Sequence, residues 1–341
     1  MIFGRTGFGG AVADFEAAVV ARDAKRSGKA FVRLQETFGQ ASEADLLDGG
    51  PRLAAVLDQV EPGHRAVVAA LVGACVERGA DAGRCAPPVL AGLREVLEQA
   101  AVFADAWAAS GGGALPAVRG ERPGDEIVDR VGLEAAVAWW TLPQWETAAV
   151  AMLNHLEVRR AAADDLDTLS RLLTAVERAS GEDHTYLAHA LRVLDGAPLV
   201  ALHRASGTGY LLRISGIGDN FQLHTLLADA LIGGGHVEGD APTPQEAAVC
   251  RETPGQVETT GSFDLVAPDG GTIRNEGAPA DIPVVDGVRL LVLDEPSHRR
   301  SWPAGRFFPG MRGDALLERA LEPEETERWY ARVAPAGVTT A

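Results

Sequence analysis

The spacing of apolar residues changes once along the chain, and this change predicts two structural halves. Up to about residue 195, apolar residues recur at helical spacing, as in ADFEAAVVARDAKRSGKAFVRLQETFG. The segment EPGHRAVVAALVGACVERG is apolar on nearly all sides, which predicts a buried central helix. PPVLAGLREVLEQAAVFADAWAASGGG opens on a proline pair and ends at glycines, which predicts a helix with a defined start and stop. The first half is therefore predicted to be α-helical.

After Gly196 the pattern becomes that of strands. APLVALHRASGTGYLLRISGI predicts a hairpin around SGTG, and SFDLVAPDGGTIRNEG predicts a second hairpin that turns at Asp-Gly-Gly. A helix is expected over residues 219–232, and GVRLLVLDE is typical of a central strand. The tail GDALLERALEPEETERWYARV predicts a further helix. The expected class is α+β, with a helical domain over 1–195 packed on a mainly antiparallel sheet with flanking helices over 196–341.

Charge and composition narrow the range of partners. The 341 residues carry a formal net charge of −17, which argues against binding to nucleic acid or to an anionic membrane surface. The N-terminal segment lacks the pattern of a signal peptide, and no apolar run is long enough to span a membrane. Cys75, Cys85 and Cys250 form no CxxC pair. A reduced, cytoplasmic protein is therefore expected.

The stretch LLRISGIGDNFQLHTLLADAL reads as a strand, a Gly216-x-Gly218 turn and a helix. A dinucleotide-binding turn needs a third glycine where this chain has Phe221, and an acidic Asp219 at the helix start would repel a pyrophosphate. A structural turn is the better interpretation, with Asp219 or Asn220 capping the helix.

The same stretch contains a polar cluster that could line a cleft. Strand alternation puts Arg213 and Ser215 on one face, and Asp219, Asn220 and His224 follow at the helix start. The alternative is a solvated strand face, with His224 hydrogen-bonded near the sheet.

Two loop segments supply further candidates. DEPSHRRSWPAGRFFPGMR contains Arg299, Arg300 and Trp302, and arginines among aromatic residues suit a carboxylate, a phosphate or a planar ring. Its alternative role is an ordered loop whose arginines balance the protein's own carboxylates. In TIRNEGAPADIP, Glu276 beside Asp281 is a candidate general base, with turn chemistry as the alternative.

No metal or cofactor motif is present in the sequence. HExxH, a Cys–His cluster, GxSxG and a Walker A loop are all missing, so no metal site is predicted and no cofactor is identified.

The leading hypothesis is a cytoplasmic enzyme, such as a biosynthetic one, that acts on a small molecule or peptide with an anionic or planar group. The reaction type stays open. The predicted catalytic residues are His224, Glu276 and Asp219. The predicted substrate-binding residues are Arg213, Ser215, Asn220, Arg299, Arg300 and Trp302. The alternative is a non-catalytic interaction or regulatory protein that binds a partner protein or a metabolite, and a protein partner or a homo-oligomer is compatible with either hypothesis.

Overall fold

The computed structural model describes residues 7–118 and 122–335. Residues 1–6, part of the segment that was read for a signal peptide, lie outside the described ranges. Contacts divide the chain into two compact units, Met1–Leu191 and Arg192–Ala341. The first unit is helical and the second holds a mixed sheet with helices, which confirms the predicted α+β class.

The N-terminal unit is built from helices. In chain order they are α1 (Phe8–Val20), α2 (Ala24–Phe38), α3 (Glu43–Ala55), α4 (Pro62–Glu77), α5 (Ala82–Ala109), α6 (Asp125–Val131), α7 (Leu133–Leu153), α8 (Leu156–Ala161), α9 (Ala163–Ser180) and α10 (Thr185–Leu191).

Helices α4, α5 and α7 pack closely because small residues lie where they meet. A Cβ on Gly92 of α5 would lie 2.2 Å from the ring of Trp145 in α7, and one on Gly73 of α4 would lie 3.1 Å from the backbone of Ala148. Helix α5 begins at Ala82, five residues before the proline pair that was predicted to start it, because the Asp81 side chain accepts a hydrogen bond from the Arg84 amide.

The C-terminal unit contains both strands and helices. In chain order they are β1 (Asp195–His203), β2 (Thr208–Ser215), α11 (Asn220–Ala228), α12 (Pro244–Arg251), β3 (Val257–Thr260), β4 (Asp264–Val266), β5 (Val284–Val285), β6 (Val288–Asp294), β7 (Ser301–Ala304), β8 (Asp314–Ala320) and α13 (Pro323–Tyr330). A π-helical turn over Asp229–Gly233 continues α11, where the sequence predicted one regular helix.

The main sheet has the strand order β4-β6-β1-β2-β8, with β5 paired to β6, while β3 and β7 form a separate antiparallel pair. Only β1 and β6 run parallel among these pairings. One face of the main sheet packs on α11 through Leu199, Leu212 and Leu223. The other face buries Val200 and Leu290 beside the side chain of Trp329 from α13. The sheet therefore has two covered faces, and a side chain's position in a strand decides which one it joins.

One local prediction fails in this unit. The tail was expected to be helical from residue 313, but Asp314–Ala320 pairs with β2 as an edge strand, and the helix starts only at Pro323. Helix-forming residues there yield to the hydrogen bonds that the open edge of β2 offers. The second predicted hairpin is present but short: Val266 and Thr272 form an antiparallel bridge, and the Ala267 and Ile273 amides donate to the Gly271 and Leu265 carbonyl oxygens.

Candidate functional site

The Gly216-Ile217-Gly218 turn is shaped by the chain that lies over it. Gly216 has φ +64°, and a Cβ at this position would lie 1.9 Å from the carbonyl oxygen of Arg312. A Cβ on Gly218 would lie 2.6 Å from the Cβ of Phe307. Both glycines therefore allow the segment around residues 307–313 to approach the turn, which agrees with the structural interpretation of this motif.

The N-terminus of α11 has no backbone donor left for a phosphate. The amides of its first four residues are all engaged, by the Gly277 and Asn275 carbonyl oxygens and by the side-chain and backbone oxygens of Asp219. The Asn220 side chain also donates to the Arg274 carbonyl oxygen at 2.8 Å. This helix start is sealed by the 274–277 loop, so it does not form an anion site.

Asp219 is the one perturbed acid at this helix start. Its carboxylate caps the helix by accepting from the Gln222 amide at 2.8 Å. Burial raises the pKa of Asp219 to about 6, the bond from Gln222 opposes this, and the nearby Glu276 carboxylate adds to the rise. Glu276 itself is exposed. The structure therefore places Asp219, Asn220 and Glu276 together at one end of α11.

His224 lies deeper along α11 and is buried. Its Nε2 lies 3.2 Å from the Ser262 amide nitrogen and 3.1 Å from the Phe263 amide nitrogen, and it accepts from both. Burial lowers the pKa of His224 to about 4, so the imidazole is neutral at pH 7. The lone pair that a general base would use is thus engaged by the backbone of the segment that leads into β4.

Trp302 and Arg300 surround His224. The indole of Trp302 lies edge-on to the imidazole with ring centroids 4.9 Å apart. The Arg300 guanidinium donates to the Asp264 carboxylate and, at 3.3 Å, to the Phe263 carbonyl oxygen. The charge of Arg300 is therefore compensated by a carboxylate of the same unit. This corresponds to the alternative role of the loop, in which its arginines balance the protein's own carboxylates.

Arg213 and Ser215 lie on the sheet face that points away from α11, since Leu212 and Ile214, which alternate with them along β2, pack toward the helix. Arg213 donates to Glu318 at 2.6 Å and to the Gly196 carbonyl oxygen at 2.8 Å. The hydroxyl of Ser215 accepts from the Gly196 amide. The nine predicted site residues thus fall into separate groups, and Arg299 lines a different feature, the cleft described next.

A cleft of about 1110 Å³ opens on the C-terminal unit. Its walls are the β1–β2 turn, residues 236–242 after α11, strand β3 with residues 261–263, and residues 295, 296 and 299. Its volume slightly exceeds the range that is typical of small-molecule sites, which is roughly 300–1,000 Å³.

A hydrogen-bond chain runs from the wall of this cleft into the sheet. His203 Nδ1 lies 2.7 Å from Ser206 Oγ, Ser206 Oγ lies 2.6 Å from Thr208 Oγ1, and Thr208 donates to the Tyr210 hydroxyl at 2.9 Å. Tyr210 donates to the His236 carbonyl oxygen at 2.8 Å. Each hydroxyl has one proton to give, and a carbonyl can only accept, so every proton in the chain points toward His236. His203 must therefore carry its proton on Nδ1, which leaves the lone pair on Nε2.

Burial lowers the pKa of His203 below its ordinary value, and the carboxylates of Glu295 and Asp294 partly oppose this shift. The imidazole is consequently neutral at pH 7. A neutral, oriented imidazole beside a carboxylate can take up a proton and can stabilise the imidazolium that results.

His203 and Ser206 were missed by the sequence analysis. The HRAS segment of the predicted hairpin contains the relevant spacing, because a histidine ends a strand and a serine follows three residues later. That spacing brings both side chains to the same turn, but the sequence does not say that the turn borders a cleft.

Metal and membrane features were searched over the described ranges only. In residues 7–118 and 122–335, no group of three or more His, Cys, Asp or Glu side chains is arranged to hold a metal ion. No helix in these ranges combines the length and apolar character that crossing a bilayer requires.

Comparison with known proteins adds no relative: no family model, no curated protein and no solved structure matches this chain.

Proposed function

We propose that the C-terminal unit is an enzyme that binds a small molecule or a peptide in the cleft and uses His203 as its general base. The observation that carries the proposal is the hydrogen-bond chain from His203 Nδ1 to the His236 carbonyl oxygen. A general base has to be unprotonated and oriented before the substrate binds. Burial favours the unprotonated form of His203, and the hydrogen-bond chain orients its ring.

In this proposal, His203 Nε2 takes a proton from a substrate group or from an attacking water, and the same proton then passes to the leaving group. Ser206 is a positioning residue, because it accepts the Nδ1 proton and fixes the ring. Glu295 and Asp294 favour the charged ring once the proton has moved, since both carboxylates raise the pKa of His203. Arg213 and Arg300 already pair with carboxylates, so of the three arginines expected to bind an anionic substrate only Arg299, which lines the cleft, supports that expectation.

Chemical modification tests whether His203 is a free base. Diethyl pyrocarbonate acylates unprotonated histidine nitrogen, and mass spectrometry of peptides identifies the modified ring. We expect the rate at His203 to rise with pH around a midpoint below 6.5, because its pKa is lowered. A midpoint at or above 6.5, or an unreactive His203, would contradict the proposal.

Variants of the hydrogen-bonded residues test whether the hydrogen-bond chain sets the tautomer of His203. Nitrogen-15 NMR of the folded protein distinguishes Nδ1–H from Nε2–H imidazole. Ser206→Ala is expected to shift His203 toward a mixture of tautomers, because it removes the acceptor on Nδ1. The matched control is Ser297→Ala, which removes a similar Ser–His contact of 3.1 Å to His298. An Nε2–H tautomer in the parent protein would refute the proposed base.

A carbon acid gives a direct readout of base strength without the natural substrate. With 5-nitrobenzisoxazole, Nε2 would remove the ring C–H proton while the N–O bond breaks and a coloured phenolate forms. We expect His203→Gln to lower the protein-dependent rate at least about tenfold, within the range that general bases contribute. His298→Gln, which alters an exposed histidine, is the control. Equal rates for the two variants would exclude His203 as the reactive base.

No specific observation favours the alternative, a partner-binding protein. Among the described residues of the N-terminal unit, the exposed large apolar side chains are distributed one to a helix or loop, at Val20, Val32, Leu47, Val102, Val118, Leu133, Leu156 and Tyr186. Single exposed apolar residues are normal on protein surfaces. The proposal keeps the cytoplasmic location, which the free and buried Cys75, Cys85 and Cys250 support.

A further inference from the structure

We infer that His184, with Glu146 and Glu177, forms a pH-sensitive clamp that holds the start of α10 against α7 and α9 while the imidazole is protonated and loosens when the proton leaves. These residues belong to the N-terminal unit, so the inference goes beyond the function proposed for the C-terminal unit and does not depend on it.

Helix α10 depends on its neighbours for its position. It has only seven residues, Thr185–Leu191, and it is the last helix before the chain enters the C-terminal unit at Arg192. A helix of this length is not stable by itself in water, so its packing on α7 and α9 has to hold it. His184 lies where the helix begins, because its carbonyl oxygen accepts from the Ala188 amide at 2.9 Å. The contacts of His184 therefore hold the start of α10.

Two carboxylates from different helices converge on His184. The Nδ1 atom of its ring lies 2.5 Å from Oε1 of Glu146 on α7. The main-chain amide of His184 donates to Oε1 of Glu177 on α9 at 3.1 Å. The ion pair is largely withdrawn from water, since the side chains of His184 and Glu146 are only 11% and 21% exposed. A single residue thus joins α10 to both of the helices on which it packs.

The charges that act on the ring of His184 are negative. They come from α7, from α9 and from the loop between α9 and α10: Glu146, Glu177 and Glu182. Asp183 in the same loop and Arg178 near the end of α9 are exposed, whereas His189 of α10 is buried. The imidazolium is therefore the cation that the carboxylates of α7 and α9 share. When the ring is neutral, both carboxylates remain beside it without that cation, and the attraction between the helices weakens.

The nitrogen of His184 that titrates is closed to water. An ionised carboxylate only accepts hydrogen bonds, so Nδ1 keeps its proton beside Glu146 and the proton that leaves is the one on Nε2. Nε2 is buried and has no hydrogen-bond partner among the described residues. Water reaches Nε2 when the start of α10 moves away from its neighbours. Loss of the proton is therefore coupled to movement of the helix.

The direction of the pH effect follows from the contacts of the ring. The hydrogen bond to Glu146 raises the pKa of His184, burial opposes this rise, and the charges of Glu146, Glu177 and Glu182 add to it. A group whose pKa is raised in the docked state contributes its full stabilisation below its ordinary value, which is 6.5 here, and loses it as pH rises through the raised pKa. Docking of α10 is therefore strongest in mild acid and weakens above pH 6.5.

Hydrogen exchange of the α10 amides in the full chain measures this docking. Protection factors, which correct for the intrinsic effect of pH on exchange, are compared at about pH 6 and about pH 8.5, on either side of the expected window. We expect protection in α10 to fall at least about threefold, within the range that ion pairs contribute, while protection in α4 and α5 stays constant. Constant protection in α10, or an equal fall in all three helices, would overturn the inference.

Variants show whether His184 is the responsible group. His184→Gln is expected to abolish the pH dependence in α10, and Glu146→Gln is expected to reduce it, because it keeps an oxygen acceptor but removes the charge. The matched control is Glu157→Gln, which changes a similar contact in the same unit: Glu157 lies 3.5 Å from His155 and is 64% exposed. If His184→Gln keeps the pH dependence of the parent, or if the control removes it, the inference fails.

The ring itself gives a readout that needs no variant. Carbon-13 NMR of the imidazole follows the titration of His184 in the parent protein, and we expect a midpoint above 6.5. A midpoint at or below 6.5 would show that the carboxylates do not favour the charged ring, and the clamp would be excluded.

Discussion

Gly216 and Gly207 offer a comparison that separates backbone strain from packing. Both glycines have left-handed φ values, +64° and +67°. Alanine therefore costs about 1–2 kcal/mol of backbone strain at each position. The lower flexibility of the unfolded chain offsets about 0.4–1 kcal/mol of this cost. A Cβ at Gly207 meets no atom within 4 Å, whereas one at Gly216 would lie 1.9 Å from the Arg312 carbonyl oxygen. Because relaxed contacts lie at roughly 3.5 Å, the overlying backbone would have to move by more than about 1 Å.

Overpacking of this kind typically costs about 1–3 kcal/mol. Gly207→Ala is therefore expected to cost about 1 kcal/mol, and Gly216→Ala about 2–4 kcal/mol. Native-state hydrogen exchange of amides in β2 and β8 measures the free energy of opening of the C-terminal unit. Amides in α4 and α5 serve as an internal reference, because these helices belong to the N-terminal unit and both substitutions lie in the C-terminal unit. An equal loss of stability in the two variants would refute the claim that the 307–313 segment requires Gly216.

Three further predictions concern buried groups. Asp219→Asn keeps an oxygen that can cap α11 but removes a carboxylate whose pKa is raised to about 6 from 3.8, so the folded parent loses stability as pH rises through this window. Chemical denaturation should find the variant about 1–2 kcal/mol more stable than the parent at pH 8, a figure reduced for the partial exposure of the carboxylate, and no more stable at pH 4. His224→Ala leaves the amides of Ser262 and Phe263 without an acceptor and should cost about 2–4 kcal/mol at pH 7. Because the pKa of His224 is lowered to about 4 from 6.5, the parent loses stability as pH falls through this range. The same measurement should therefore show that the stability difference between the parent and His224→Ala shrinks toward pH 4. A difference that stays constant with pH would contradict a neutral His224 at pH 7. Gly92→Ala should lower the Tm of the N-terminal unit, because the added Cβ would lie 2.2 Å from the ring of Trp145. Gly28→Ala in α2, where a Cβ would have no atom within 4 Å, should raise the Tm slightly. Similar shifts for both variants would argue against close packing of α5 on α7.

The candidate site was predictable only in part. Loops of the C-terminal half were expected to carry it, and Arg299 does line the cleft. The predicted groups around Asp219 and His224 lie at α11, where their polar atoms cap the helix and hold neighbouring backbone. Turn and cap residues have the same sequence signature as site residues, because both depend on short polar side chains beside glycine and proline.

The sequence by itself determined what depends on local periodicity and composition. The change from helical to alternating spacing near residue 195, the β1–β2 hairpin and the structural nature of the Gly216 turn follow from the order of apolar and polar residues. Only the tertiary structure decided that Asp314–Ala320 is a strand, because the open edge of β2 outweighs the helix propensity of that segment. It also brought His203 and Tyr210 into one hydrogen-bond chain and placed segments that are far apart in the sequence around one cleft. These features depend on contacts between segments that are far apart in the chain, and local pattern carries no information about such distances.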